Sequence, residues 1–144
     1  MKRHESLRHL SREHHSALIL ARLLRKDAPP YKGLPQSPEG KALYACELFN
    51  GQLIEHFQQE EKIFTTLTPF HPSISDMLTT IRQEHQELIQ LFSDLAAGNF
   101  NVDSLNNLGL YLESHIRKEE RSFFPFLESN CPDSALKALL KNQS

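Results

Sequence analysis

No run of apolar residues in this 144-residue chain approaches the length needed to cross a bilayer, and Met1 to Glu5 lead into a charged amphipathic segment instead of an apolar signal region. A membrane partner is therefore not expected, and the chain reads as cytoplasmic. Cysteine is scarce. Cys46 and Cys131 lie far apart, form no disulfide framework and do not stand at metal-ligand spacing to one another, so both are expected to be free thiols. Cationic surplus is missing too: sixteen Lys and Arg face eighteen Asp and Glu, a formal charge of −2, and nucleic acid is not an expected partner. The sequence has no Gly-rich phosphate loop, alternating strand pattern or low-complexity tract. What remains is an all-α pattern, long enough for a single domain over 1–144 that buries roughly two-thirds of the surface its unfolded form exposes.

Four apolar stripes at steps of three and four mark four long helices. The first, through Leu7, Leu10, His14, Ala17, Ala21 and Leu24, predicts a helix from about Ser6 to Lys26, ended by Asp27-Ala28-Pro29-Pro30. After a Pro-rich crossing loop, Ser37-Pro38 looks like a cap with proline in the first turn. Helix two then spans about Glu39 to Thr66, with Leu43, Cys46, Phe49, Leu53, His56, Glu60 and Ile63 or Phe64 on its stripe. The third stripe holds Ile74, Met77, Leu78, Ile81, His85, Leu88, Phe92 and Leu95, and Gly98-Asn99 stops it. Asp103 or Ser104 can cap the fourth, whose stripe is Leu105, Leu108, Leu112, His115, Glu119 and Phe123, weakening at Pro125. A short terminal helix is expected over about Pro132 to Lys141.

Two elements recur. His56-Phe57-Gln58-Gln59-Glu60-Glu61 and His115-Ile116-Arg117-Lys118-Glu119-Glu120 share one pattern, followed by aromatic Phe64 or Phe123 and then by Leu67 or Phe126. Glu13-His14 and Glu84-His85 share another, with Ala17, Leu20, Ala21 and Leu24 matching Leu88, Leu91, Phe92 and Leu95. Such a weak repeat is what a four-helix bundle with an internal metal site presents.

Histidine and glutamate four apart project from the same helix face, so both can reach one ion. Buried alone, each loses several kcal/mol of hydration, and cations offset that loss. The pattern predicts terminal nitrogen ligation by His14, His56, His85 and His115, with Glu60 and Glu119 bridging two ions. Four protein atoms per ion leave room for a bridging oxo or hydroxo group and an open position for a small molecule. Register favours His14 over His15, because Arg22 and Arg25 occupy two of the offsets at which His15 would need apolar residues. Glu61 and Glu120 lie about 100° further round their helices, as acceptors behind the ligands or as solvated acids. Phe57, Phe64, Phe123 and Phe126 read as core filling that also keeps water from the ions, and His4, His9 and His71 as exposed residues without a role.

The set Glu13-His14, His56-Phe57-x-x-Glu60-Glu61, Glu84-His85 and His115-x-x-x-Glu119-Glu120 followed by Phe124-Pro125 resembles the hemerythrin-like family, or hemerythrin HHE cation-binding domain, over about residues 6–128. That resemblance implies an up-down-up-down four-helix bundle enclosing two non-haem iron ions, with zinc or manganese as substitutes, and a small-molecule ligand: dioxygen, nitric oxide or peroxide. Oxygen carriers of the family have a second helix-three histidine where this chain has Ile89, and a helix-four aspartate where it offers Glu119. The four-histidine, two-glutamate set is more similar to members linked to oxidative or nitrosative stress and iron–sulfur cluster repair. The cysteine-containing N-terminal domain usual in those repair proteins is not expected in these residues. The implied function is binding of, or reaction with, such ligands in stress response or iron handling; a sensing module without turnover is the alternative. No protein partner is specified.

Overall fold

The computed structural model describes residues 2–142; Met1, Gln143 and Ser144, which the single-domain reading includes, lie outside them. Helix α1, Glu5–Leu23, starts where the His4 ring accepts the Ser6 N–H, and the chain leaves it just after Leu24. Helix α2, Pro38–Leu48, begins at Ser37, whose side chain accepts the Gly40 N–H, and runs through a π turn, Phe49–Leu53, into α3, Ile54–Leu67. A 3₁₀ turn, Thr68–Phe70, leads to α4, Pro72–Ala96, capped by His71. Helix α5, Val102–Lys118, continues through a second π turn, Glu119–Phe123, into α6, Phe124–Asn130. Short α7, Asp133–Ala138, and a 3₁₀ turn, Leu139–Asn142, close the described chain. No strand occurs among the described residues.

The core divides into two apolar clusters. One joins the C-terminal half of α1 (Ala17 to Leu24), α2 and the start of α3, the C-terminal half of α4 (Leu88, Phe92, Leu95) and α5 from Leu105 to Ile116. The other joins Leu7 and Leu10 with the end of α3, the start of α4, Phe124 and Leu127 of α6, and α7. Each end of the molecule therefore collects alternate helix ends, which is the up-down-up-down bundle. Each fully buried Leu or Phe contributes about 1.5–3 kcal/mol of transfer free energy. The buried polar side chains lie between these clusters, apart from Ser6.

Both π turns shift the predicted stripes by one residue. In each, the N–H after the turn bonds five residues back, Ile54 to the Phe49 carbonyl and Phe124 to that of Glu119, so the rod holds one residue more than α-periodicity allows. Upstream of the first turn the buried positions are Ala42 and Ala45; Leu43 is 62% exposed and Cys46 half-buried. Downstream of the second, Phe124 and Leu127 are buried, while Phe123 and Phe126 are half-buried. Pro125 does not end the rod, because it falls in the first turn of α6. The α5 cap is neither predicted residue alone: the Asn101 side chain accepts the Ser104 N–H and Ser104 Oγ accepts the Asn101 N–H, a reciprocal box. Gly98 ends α4 at φ 82°, where a left-handed residue is required.

Candidate metal centre

All six predicted side chains come together between the apolar clusters. His14 reaches in from α1, His56 and Glu60 from α3, His85 from α4, and His115 and Glu119 from the junction of α5 with its π turn; none is more than 3% exposed. The Glu119 N–H still bonds the His115 carbonyl, so the four-residue step there is α-helical. His15 lies on the solvent side of α1.

The two carboxylates stand in the middle. Glu60 Oε2 is 3.2 Å from His56 Nε2 and 3.3 Å from His14 Nε2, and its Oε1 is 3.0 Å from His85 Nε2. Glu119 Oε1 is 3.0 Å from His14 Nε2 and 3.4 Å from His115 Nε2. One ligand atom each from His14, His56, Glu60 and Glu119 lies within 4.8 Å of the others, and the same holds for Glu60, His85, His115 and Glu119. The two groups share both carboxylates.

A second set of carboxylates fixes the rings from behind. His14 Nδ1 bonds Glu120 Oε2 at 2.7 Å, His56 Nδ1 bonds Glu13 Oε1 at 2.9 Å, His85 Nδ1 bonds Glu61 Oε2 at 2.8 Å, and His115 Nδ1 bonds Glu84 Oε1 at 2.7 Å. The pattern obeys the internal repeat: the acid preceding each Glu-His histidine holds the ring of its own half's His-x-x-x-Glu pair, and the acid following each pair holds the other half's lone ring. This assigns Glu61 and Glu120 as acceptors, and it gives Glu13 and Glu84 roles that sequence reading left unassigned. Their signal was present as the recurring Glu-His and Glu-Glu steps. His4 and His71 also do more than predicted, since each caps a helix and His4 Nε2 lies 2.9 Å from Asp133.

A carboxylate only accepts, so each ring's Nδ1 carries a proton, and its Nε2, when the ring is neutral, presents a lone pair to the centre. Lone pairs facing carboxylate oxygens repel unless a proton or a cation stands between them. With protons alone, burial opposes charging His14, but Glu119, Glu120 and Glu60 outweigh it and push the ring up to about 12. His56 likewise rises to about 9 against its burial, chiefly through Glu60 and Glu13, and His115 is raised against its burial by Glu119 and Glu84. Glu60 is held well below the usual carboxylate range: burial works the other way, and His56, His14 and His85 prevail. Glu119 is raised by burial and by the Glu60 charge beside it. Protons do not satisfy the whole cluster. Although His14 Nε2 is close, neither Glu119 oxygen meets a partner in hydrogen-bond geometry, and His115 Nε2 has none either. Imidazole nitrogen and carboxylate oxygen around unpaired buried atoms form a donor set that fits iron, manganese or zinc.

A sequence profile, the hemerythrin HHE cation binding domain, matches residues 5–127, and also residues 76–142. The chain belongs to the hemerythrin HHE family. No curated protein and no solved structure is matched by the chain. This hemerythrin domain, with its paired His and Glu groups, is a metal-binding module. No helix among its described residues is long and apolar enough to cross a membrane.

Proposed function

We propose that this hemerythrin domain holds two iron ions side by side and binds or reacts with dioxygen, nitric oxide or peroxide, in stress response or iron handling. The observation that carries the reading is the pair of four-residue groups sharing Glu60 and Glu119. His14 and His56 would hold one ion and His85 and His115 the other, with Glu60 and Glu119 available to both. Iron bound there would supply the electrons and the Lewis-acid site for such a small ligand. Around it the chain's own residues do three things. Glu13, Glu61, Glu84 and Glu120 hold the protons on the Nδ1 atoms and so fix the rings with Nε2 inward. Phe57, stacked 4.1 Å from His85, and Phe124, 5.6 Å from His14, press on the ligand rings from the apolar side and exclude water. The two apolar clusters seal both ends of the site. A cytoplasmic setting, in which Cys46 and Cys131 stay free thiols, belongs to the same reading.

Anaerobic titration with ferrous iron tests this. About two ions per chain are expected, followed by spectral changes on separate exposure to dioxygen, nitric oxide and peroxide; a chain that takes up no iron ends the proposal. Consumption of peroxide or nitric oxide over many cycles separates catalysis from reversible binding.

A further inference from the structure

Glu120 is braced by a residue that stands outside the internal repeat. Its Oε2 accepts from His14 Nδ1 and from Ser11 Oγ at 2.8 Å, while its Oε1 lies 3.2 Å from Arg3 Nη2. The same nitrogen donates to the Glu120 carbonyl at 2.9 Å, and Nη1 donates to Glu128 Oε1 at 2.7 Å. The backbone contact follows from the π turn: Phe124 bonds the Glu119 carbonyl, and the next residue, Pro125, has no N–H for the carbonyl of Glu120. Arg3 supplies that donor. Its guanidinium also sits 5.6 Å above the Phe124 ring, the ring stacked on His14, and the His4 N–H bonds Glu128 Oε2 at 2.5 Å to hold the segment down.

The other half of the repeat has nothing equivalent. Ser11 and Arg82 occupy matching positions, three before His14 and His85, and Arg82 Nε reaches Glu61 only at 3.5 Å from a side chain 53% exposed. The position matching Arg3 is Ile74, which is buried and apolar. The matching stretch of α3 has no π turn. Arg3, the π turn and Pro125 therefore go together on one side of the centre.

Resting on the two-ion reading above, we infer that Arg3 is a positioning residue for the metal centre, acting through Glu120 on His14 and through the π turn on Glu119. The planar guanidinium suits the task because it reaches a carboxylate, a carbonyl and a second carboxylate in one fixed fork, which an ammonium cannot.

The test uses the full chain as wild type, R3Q, R3K and R82Q, titrated anaerobically with Co(II) against a competing chelator, with ligand-field absorption recorded at each step. R3Q is expected to weaken one of the two binding steps by about tenfold and to shift the absorption of that step, the lower end of the range found when a ligand's own hydrogen-bond partner is removed, because Glu120 itself stays in place. R3K restores part of the loss, and R82Q changes either step by less than about fivefold. Thermal melts of the metal-free variants report folding separately. Wild-type affinities and spectrum in R3Q overturn the inference, as does an equal loss at both steps that follows lowered thermal stability. A wild-type chain that binds no metal overturns the two-ion reading itself, and this inference with it.

Discussion

Gly109 to alanine sets two known effects against each other at a place where the geometry decides the sign. Gly109 is buried on α5, and a Cβ there would stand 2.5 Å from the Ala21 carbonyl oxygen of α1 and 3.1 Å from Leu24 Cβ. In a free helix the change to alanine is worth about 1 kcal/mol in favour of the helix. Here the obstacle is a backbone oxygen in a rigid turn, flanked by Leu20, Ala21 and Leu24, each no more than 1% exposed, so α1 must retreat as a unit. Overpacking of this kind costs about 1–3 kcal/mol, and a clash with backbone belongs at the upper end. The net expectation is a loss of about 2 kcal/mol, a fall in melting temperature of about 4–8 °C for a domain of this size. Gly51 is the internal control: it is exposed, and a Cβ there meets nothing within 4 Å, so Gly51→Ala should be neutral or stabilising. Circular-dichroism melts of the metal-free variants measure both. If Gly109→Ala melts at or above the wild-type temperature, α1 yields to the added Cβ without cost, and the packing argument fails.

Substituting the shared carboxylate should separate it from those behind the rings. Glu60→Gln removes a group common to both ion positions and is expected to leave at most one ion per chain by metal analysis, whereas Glu61→Gln keeps two and weakens binding about ten- to hundredfold; equal losses would refute the assignment. The stability of the metal-free chain should also depend on pH in a set direction. His14 and His56 carry values raised from 6.5 to about 12 and about 9, so their contribution is full below pH 6.5 and is lost as pH rises toward those values. Denaturant midpoints should therefore fall between pH 6.5 and 9, and a flat or rising trend would contradict the cluster's electrostatics. Metal affinity should move the opposite way over the same window, because each imidazole must lose its Nε2 proton to bind.

The centre was legible because its chemistry is written in helix periodicity. Every residue of the α1 stripe is buried, and every residue of the α4 stripe except half-buried Met77, so His14 and His85 inherit their inward direction from leucines and isoleucines above and below them. The four outer acids were visible as recurring steps, but their partners lie on other helices: Glu13 meets His56, and Glu120 meets His14. Which helix stands beside which is a tertiary fact that spacing within one helix does not carry. The role of Arg3 lay further out of reach, because it joins positions 117 residues apart through a carbonyl freed by a π turn.

The π turns explain why the six inward-facing His and Glu side chains are placed correctly by periodicity while their flanks are displaced. Each inserts a residue outside a His-x-x-x-Glu pair, before His56 in one rod and after Glu119 in the other, so both pairs keep α-helical spacing. Reading backward from His56 through the first insertion selects Leu43 and Cys46 where Ala42 and Ala45 are buried; reading forward from Glu119 through the second selects Phe123 and Phe126 where Phe124 and Leu127 are. Both displacements are one residue, in opposite directions, as a single added residue on either side of a fixed site requires. In these two rods the repeat therefore holds in register only across the layer of buried His and Glu, whereas α1 and α4, which have no π turn, keep it along their whole stripes. Each of the two rods departs from α geometry right beside that layer, and single π turns inside α-helices are frequent at functional sites.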